Sequence, residues 1–117
     1  MLLPDVTSLD AEKDLIASSG AMGVTILETD GAGRMSGVST IPHTSAATVE
    51  IDGNRLYVSG GYQGFSIYDI STVSRPVLLT SCPDVFALST VVVGDIAYTV
   101  DGEGIRKVQI FIPEWLR

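Results

Sequence analysis

The chain has 117 residues, 45% of them hydrophobic and only 18% charged, with a net charge of −7 and an isoelectric point near 4.3. That length holds one domain at most, with room for a buried core, and the apolar content excludes an intrinsically disordered chain. An acidic surface repels phosphate backbones, so nucleic acid is not an expected partner.

The N-terminal run MLLPDVTSLDAEKDL lacks the basic n-region and continuous apolar h-region of a signal peptide. No apolar run approaches the roughly 18 residues needed to cross a bilayer, so membrane insertion is not expected. Taken as it stands, the chain reads as soluble and without an export address. Twelve glycines among many Val, Ile, Thr and Ser residues then lean towards β structure. Residues 6–12 (VTSLDAE), 14–20 (DLIASSG), 23–29 (GVTILET) and 34–41 (RMSGVSTI) read as short strands, with Asp30-Gly31-Ala32-Gly33 as a connecting turn. The linker IPHTSA carries the one histidine, His43.

The next strands are 46–53 (AATVEIDG), 55–60 (RLYVSG), 64–70 (GFSIYDI) and 76–82 (PVLLTSC), with a turn at Asp52-Gly53-Asn54 and a glycine-rich bend at GGYQG. In GFSIYDI, Phe65, Ile67 and Asp69 point one way and Ser66, Tyr68 and Ile70 the other. Both faces are partly apolar, which predicts cover on both sides. The last strands are 87–95 (ALSTVVVGD), 96–102 (IAYTVDG) and 106–112 (RKVQIFI).

These segments form a repeat. The shift that carries Pro42 to Pro83 also joins Ala46 to Ala87, Gly53 to Gly94, Tyr57 to Tyr98 and Gly61 to Gly102. Backwards it joins Gly64 to Gly23, Ile67 to Ile26, Ser59 to Ser18 and Leu56 to Leu15. In the third unit Ile110 lies two positions beyond the point that the same shift reaches from Ile67, which predicts a longer central bend there. The expected organisation is all-β, in four-stranded antiparallel meanders of about 41 residues per repeat. One domain spans 1–117, with units at about 5–41 and 46–82, a partial one at 87–112 and a tail at 113–117.

Phe65-Ser66-Ile67-Tyr68-Asp69 stands where one repeat family carries its Leu-Val-Ile-Val-Asp signature. Val24-Thr25-Ile26-Leu27-Glu28 and Val108-Gln109-Ile110-Phe111-Ile112 take the same slots, and RLYVSGG and IAYTVDG resemble that family's Tyr-x-x-Val-x-x-Gly pattern. The chain thus resembles the LVIVD-repeat family of β-propellers over nearly all its length. The resemblance implies propeller blades of about 40 residues, in surface or secreted proteins, without catalytic residues of their own. Two features depart from the family: Ser71-Thr72-Val73-Ser74-Arg75-Pro76 replaces an Asp-Pro turn, and the third copy lacks the acidic residue.

Closed propellers have about four to eight blades, and slightly under three are present. The expectations are a piece of a longer ring, two copies closing six blades with Met1 to Leu3 completing a partner's third blade, or an open or different β architecture. The function read here is a non-enzymatic scaffold for protein–protein contacts or self-association, extracellular or at a cell surface. The alternatives are a glycan- or peptide-binding module and an accessory portion of a larger enzyme.

Few residues invite chemistry. Tyr62 and Gln63, at a glycine-flanked bend, are the candidate ligand-binding pair, and Trp115 and Leu116 the candidate interaction anchor. No catalytic residue, metal site or cofactor is expected. The lone Cys82 forms no internal disulfide or thiol-based zinc site and reads as a half-buried strand residue; His43 lacks a nucleophile elbow. Asp101-Gly102-Glu103-Gly104 has too few carboxylates for calcium and reads as a turn.

Overall fold

The computed structural model describes residues 6–20, 23–42, 46 and 48–112. His43, Trp115 and Leu116 lie outside these residues. The described chain is all-β, in three antiparallel sheets connected in chain order. The first sheet is β1 (Val6–Glu12), β2 (Leu15–Gly20), β3 (Gly23–Thr29) and β4 (Met35–Ile41). The second is β5 (Thr48–Asp52), β6 (Arg55–Ser59), β7 (Phe65–Asp69) and β8 (Val77–Cys82). The third holds β9 (Ser89–Val93), β10 (Ile96–Val100) and β11 (Ile105–Gln109). Strand order within each sheet follows the sequence.

Turn chemistry fixes the hairpins. In each sheet the first two strands are joined by two residues, between Glu12 and Leu15, Asp52 and Arg55, and Val93 and Ile96. The first turn residue has positive φ each time: Lys13 at 55°, Gly53 at 59° and Gly94 at 62°. A tight hairpin whose twist matches its strands demands that conformation, and glycine adopts it without strain. Further on, a β-bulge falls between Ile26 and Leu27 in the β3–β4 pair and between Ile67 and Tyr68 in the β7–β8 pair. The unpaired extra residues are Val38 and Leu79, which the Pro42-to-Pro83 shift also relates.

The second sheet is covered on both sides, as the alternation in 64–70 requires. Val49, Ile51, Leu56, Val58 and Ile70 pack with Ala17, Val24 and Ile26 of the first sheet, and Tyr68 borders the same cluster. Tyr57, Phe65, Ile67 and Leu79 pack on the opposite side with Ala97 and Ile110, where Val92 and Val108 join them. Full burial of each such side chain contributes about 1.5–3 kcal/mol, and these two junctions hold the sheets together.

Two registers differ from the sequence reading. Hairpin pairing places Ser19, not Ser18, in the slot of Ser59: Ser19 lies opposite Val24 and Ser59 opposite Phe65. The first hairpin is therefore out of step with the repeat by a single position. A one-residue offset turns a side chain to the other face of the sheet. The third strand of the last sheet is 105–109 rather than 106–112, with Ile105 and not Val108 in the slot of Phe65, because the bend before it has four residues, one fewer than residues 60–64, where the repeat shift predicted a longer one. Asp101 N–H donates to Gly104 O at 3.2 Å, and the Asp101 carboxylate accepts from the backbone of Glu103 and Gly104. Gln109, opposite Ile96, thus takes the slot of Asp69, opposite Arg55.

Candidate functional site

The bend after β6 is held rigidly. Gly60 N–H donates to Gly64 O at 2.8 Å, while Gly61 and Ala87 exchange N–H···O bonds of 2.7 and 3.0 Å with each other. Gly64 has φ of 79°, and a Cβ there would run into the carbonyl of Cys82. The bend is therefore pinned to the link leading into β9, and it projects Tyr62 outward at 90% exposure. The Phe86 ring supports Tyr62 edge-on, with centroids 4.7 Å apart and planes at 67°. A tyrosine face so presented can stack on a sugar ring or an apolar peptide side chain. Gln63 is exposed beside it. Phe86 was not named from sequence: its partnership depends on the Gly61–Ala87 bridge, which has no local signal.

Several carboxylates are committed to the fold. Asp30 Oδ1 accepts the N–H groups of Ala32 (2.8 Å) and Arg34 (3.1 Å), and Oδ2 meets Arg34 Nε at 2.9 Å. Asp69 accepts from the backbone and hydroxyl of Ser71, and Asp101 Oδ2 receives Arg106 at 3.2 Å. Hydrogen bonds to these charged forms hold all three acids below the ordinary aspartate range. The Asp101 loop uses its oxygens on its own amides and Arg106, the arrangement of a turn. At the first junction Ser8 Oγ, Asp10 Oδ2 and Glu12 Oε1 accept the N–H groups of Val49, Ile51 and Gly53 at 3.4, 2.6 and 3.0 Å. Burial, then Asp10 and Asp52, raise Glu50; burial and the bond to Asp52 push Tyr57 up to about 12.

Hollows are small. One of about 120 Å³ lies among Glu12, Asp14 and Asn54, and another of about 230 Å³ beside Asp101 and Arg106. Both are below the roughly 300–1,000 Å³ of small-molecule sites. Cys82 ends β8 half-buried, its thiol pushed up by burial and then by Asp84. No helix among the described residues is long and apolar enough to cross a membrane.

The third sheet carries several exposed apolar side chains. On its face away from the second sheet, Val91 pairs across to Tyr98, Val93 to Ile96, and Val100 to Ile105. Val91 is 41%, Val93 68% and Ile105 76% exposed. Lys107 and Gln109 complete that face on β11, which has no fourth strand beside it among the described residues.

No family model matches the chain, and no curated protein matches it. Among solved structures it is similar to the crystal structure of the computationally designed Ika4 protein, with a TM-score of 0.68 and 16% identity. The match covers 91% of this chain and 66% of that one, so the chain spans just under two thirds of the designed protein's length. At that identity the likeness concerns the fold alone.

Proposed function

We propose that the chain is a run of β-propeller blades of the LVIVD-repeat kind, acting as a non-enzymatic scaffold for protein–protein contact in a surface or extracellular system. The observation that carries this reading is the pair of four-stranded meanders with the same bulge at equivalent positions of the repeat, packed face to face and followed by a third sheet. The packing of β5 against β1 and β2, and of β9 against β6 and β5, supports a radial arrangement in which the sheets meet through their first two strands. Commitment of Asp30, Asp69 and Asp101 to their own loops favours a structural role for these acids over acid–base chemistry. A crystal structure of the assembled protein tests the reading. Sheets set radially about one axis, with β1, β5 and β9 lining it, are expected; a flat sandwich with no strand on an axis would overturn it.

The exposed Tyr62 on Phe86 favours a second reading, a glycan- or peptide-binding module at that end of the sheets. A glycan array and a peptide library separate the two. Binding that Tyr62→Ala abolishes and Gln63→Ala weakens would establish the module; no binding in either format leaves the scaffold reading alone.

A further inference from the structure

Tyr62, in the bend between β6 and β7, has no aromatic counterpart in the other two units. Gly20-Ala21-Met22-Gly23 leads from β2 to β3, and Asp101-Gly102-Glu103-Gly104 from β10 to β11, with no aromatic residue in either. The shift that relates Ala87 to Ala46 relates Phe86 to Ser45. Turning the chain at this point therefore needs neither ring, and loop residues outside a shared framework are the ones free to serve recognition. Tyr62 is nonetheless 90% exposed, and Phe86 braces it at 4.7 Å. We propose that Tyr62 is a stacking platform for a neutral glycan, taking the C–H face of a pyranose ring, with Gln63 beside it for the sugar's hydroxyls. The proposal rests on the binding-module reading of this bend and narrows its ligand class.

The backbone around Tyr62 selects against a peptide. Gly60, Gly61, Gln63 and Gly64 each donate their N–H within the fold, to the carbonyls of Gly64, Ala87, Gly60 and Gly61. β6 and β7 lie inside their sheet, between β5 and β8, so neither offers an edge to an added strand. An extended peptide is held by main-chain hydrogen bonds at such an edge or by a groove, and the two hollows described above lie elsewhere, at Asn54 and at Arg106. Charge narrows the choice further. From Ser59 to Tyr68 and from Pro83 to Val93 the only charged residue is Asp84, which is exposed. Neither segment holds a cation to receive a sulfate, phosphate or carboxylate, and a chain of net charge −7 repels all three. A pyranose with equatorial hydroxyls needs no charge: its C–H groups cover a flat aromatic ring, and a carboxamide both donates to hydroxyls and accepts from them. The pinned bend fixes the platform before the sugar arrives, which lowers the ordering cost of binding.

The probes are cellotetraose and lactose, followed through the amide chemical shifts of the isotope-labelled protein. One stacked ring gives weak binding, with a dissociation constant on the order of 1 mM expected. The shifts are expected at residues 60–64 and 85–88. Tyr62→Ala is expected to weaken binding at least about tenfold with an unchanged circular dichroism spectrum. Tyr62→Phe, which keeps the stacking face, should stay within about twofold of the parent. Tetragalacturonate, a carboxylated sugar chain, should leave the spectrum unchanged. A proline-rich decapeptide that binds at these residues where the sugars do not, or more tightly than they do, would overturn the glycan assignment and leave a binding module in place. Silence from sugars and peptide alike, at about tenfold above the expected constant, would overturn the module reading as well. Shifts confined to other residues, equal losses in Tyr62→Phe and Tyr62→Ala, or equal binding of tetragalacturonate would each overturn the proposal.

Discussion

The first and third sheets occupy the two ends of the described stack, and they treat their partners differently. On the first sheet, Ser8, Asp10 and Glu12 reach across to the backbone N–H groups of β5, so its polar atoms serve a neighbour already in place. On the third sheet the corresponding strand ends in Val91 and Val93, both exposed. Similar backbones thus carry different chemistry according to what lies opposite. A carboxylate belongs where amides need an acceptor, which β5 supplies to the first sheet.

The largest effects should come from buried slots of the first sheet that are open on the third. Ile26, opposite Ala17, is buried at the first junction, while Lys107, opposite Tyr98, holds the matching slot on β11 in solvent. Ile26→Ala is expected to lose about 3–4 kcal/mol, and Lys107→Ala to change stability by less than about 0.5 kcal/mol. Urea denaturation of both variants measures this. Equal losses would show that the third sheet is covered much as the first is.

Glycines sharpen the same contrast at the bends. Gly64→Ala drives a Cβ into the Cys82 carbonyl and imposes positive φ on alanine, so a loss of at least about 3 kcal/mol is expected. Gly102, in the bend of the third sheet, has φ of 90° with open space around its Cβ direction. Gly102→Ala should cost only about 1 kcal/mol, the backbone term alone. Melting temperatures of the two variants would separate collision from conformation.

Much of this was legible in the sequence. The strands fall close to the segments read from alternation and turn residues, and the two-sided cover of 64–70 follows from Phe65 and Ile67 on one face and Tyr68 and Ile70 on the other. Register was less accessible. Matching Ser18 to Ser59 satisfied composition, yet the turn at Lys13-Asp14 shifts that hairpin by one residue and reverses the face. Residues 108–112 match the apolar motif at 65–69 better than 105–109 do, yet the early closure of the Asp101 bend puts 105–109 in that slot. The glycine-flanked bend at Tyr62 was legible, whereas its 90% exposure and its support by Phe86 arise only in the folded chain.

Removing one of the acceptors tests the first sheet's chemistry. Asp10→Ala strands the N–H of Ile51, which the carboxylate receives at 2.6 Å, and a loss of about 1–3 kcal/mol is expected. Val91→Ala, in the corresponding slot, should lose less than about 1 kcal/mol, since its side chain is already partly in water. Chemical denaturation reads both. A larger loss for Val91→Ala would mean that β9 is buried within the single chain.

The smallest effect has the most informative sign. Glu50 stands between the two ends, in the slot of Asp10 and Val91, and its carboxyl is raised above 4.5 by burial, then by Asp10 and Asp52. The folded state therefore binds this proton more tightly than the unfolded chain does. The resulting stability is complete below the unfolded value and is lost as pH rises through the raised one. Asp69 and Asp101 run the other way: their lowered values add stability above 3.8 that disappears as pH falls through them. Glu50→Gln should consequently match the parent in acid and exceed it at neutral pH, by no more than about 0.5 kcal/mol after solvent screening. Urea midpoints across the acid-to-neutral range provide the measurement. A variant less stable than its parent at neutral pH would mean that Glu50 serves β9 as Asp10 serves β5, and the change from carboxylate to valine would then begin after the second sheet, with Val91.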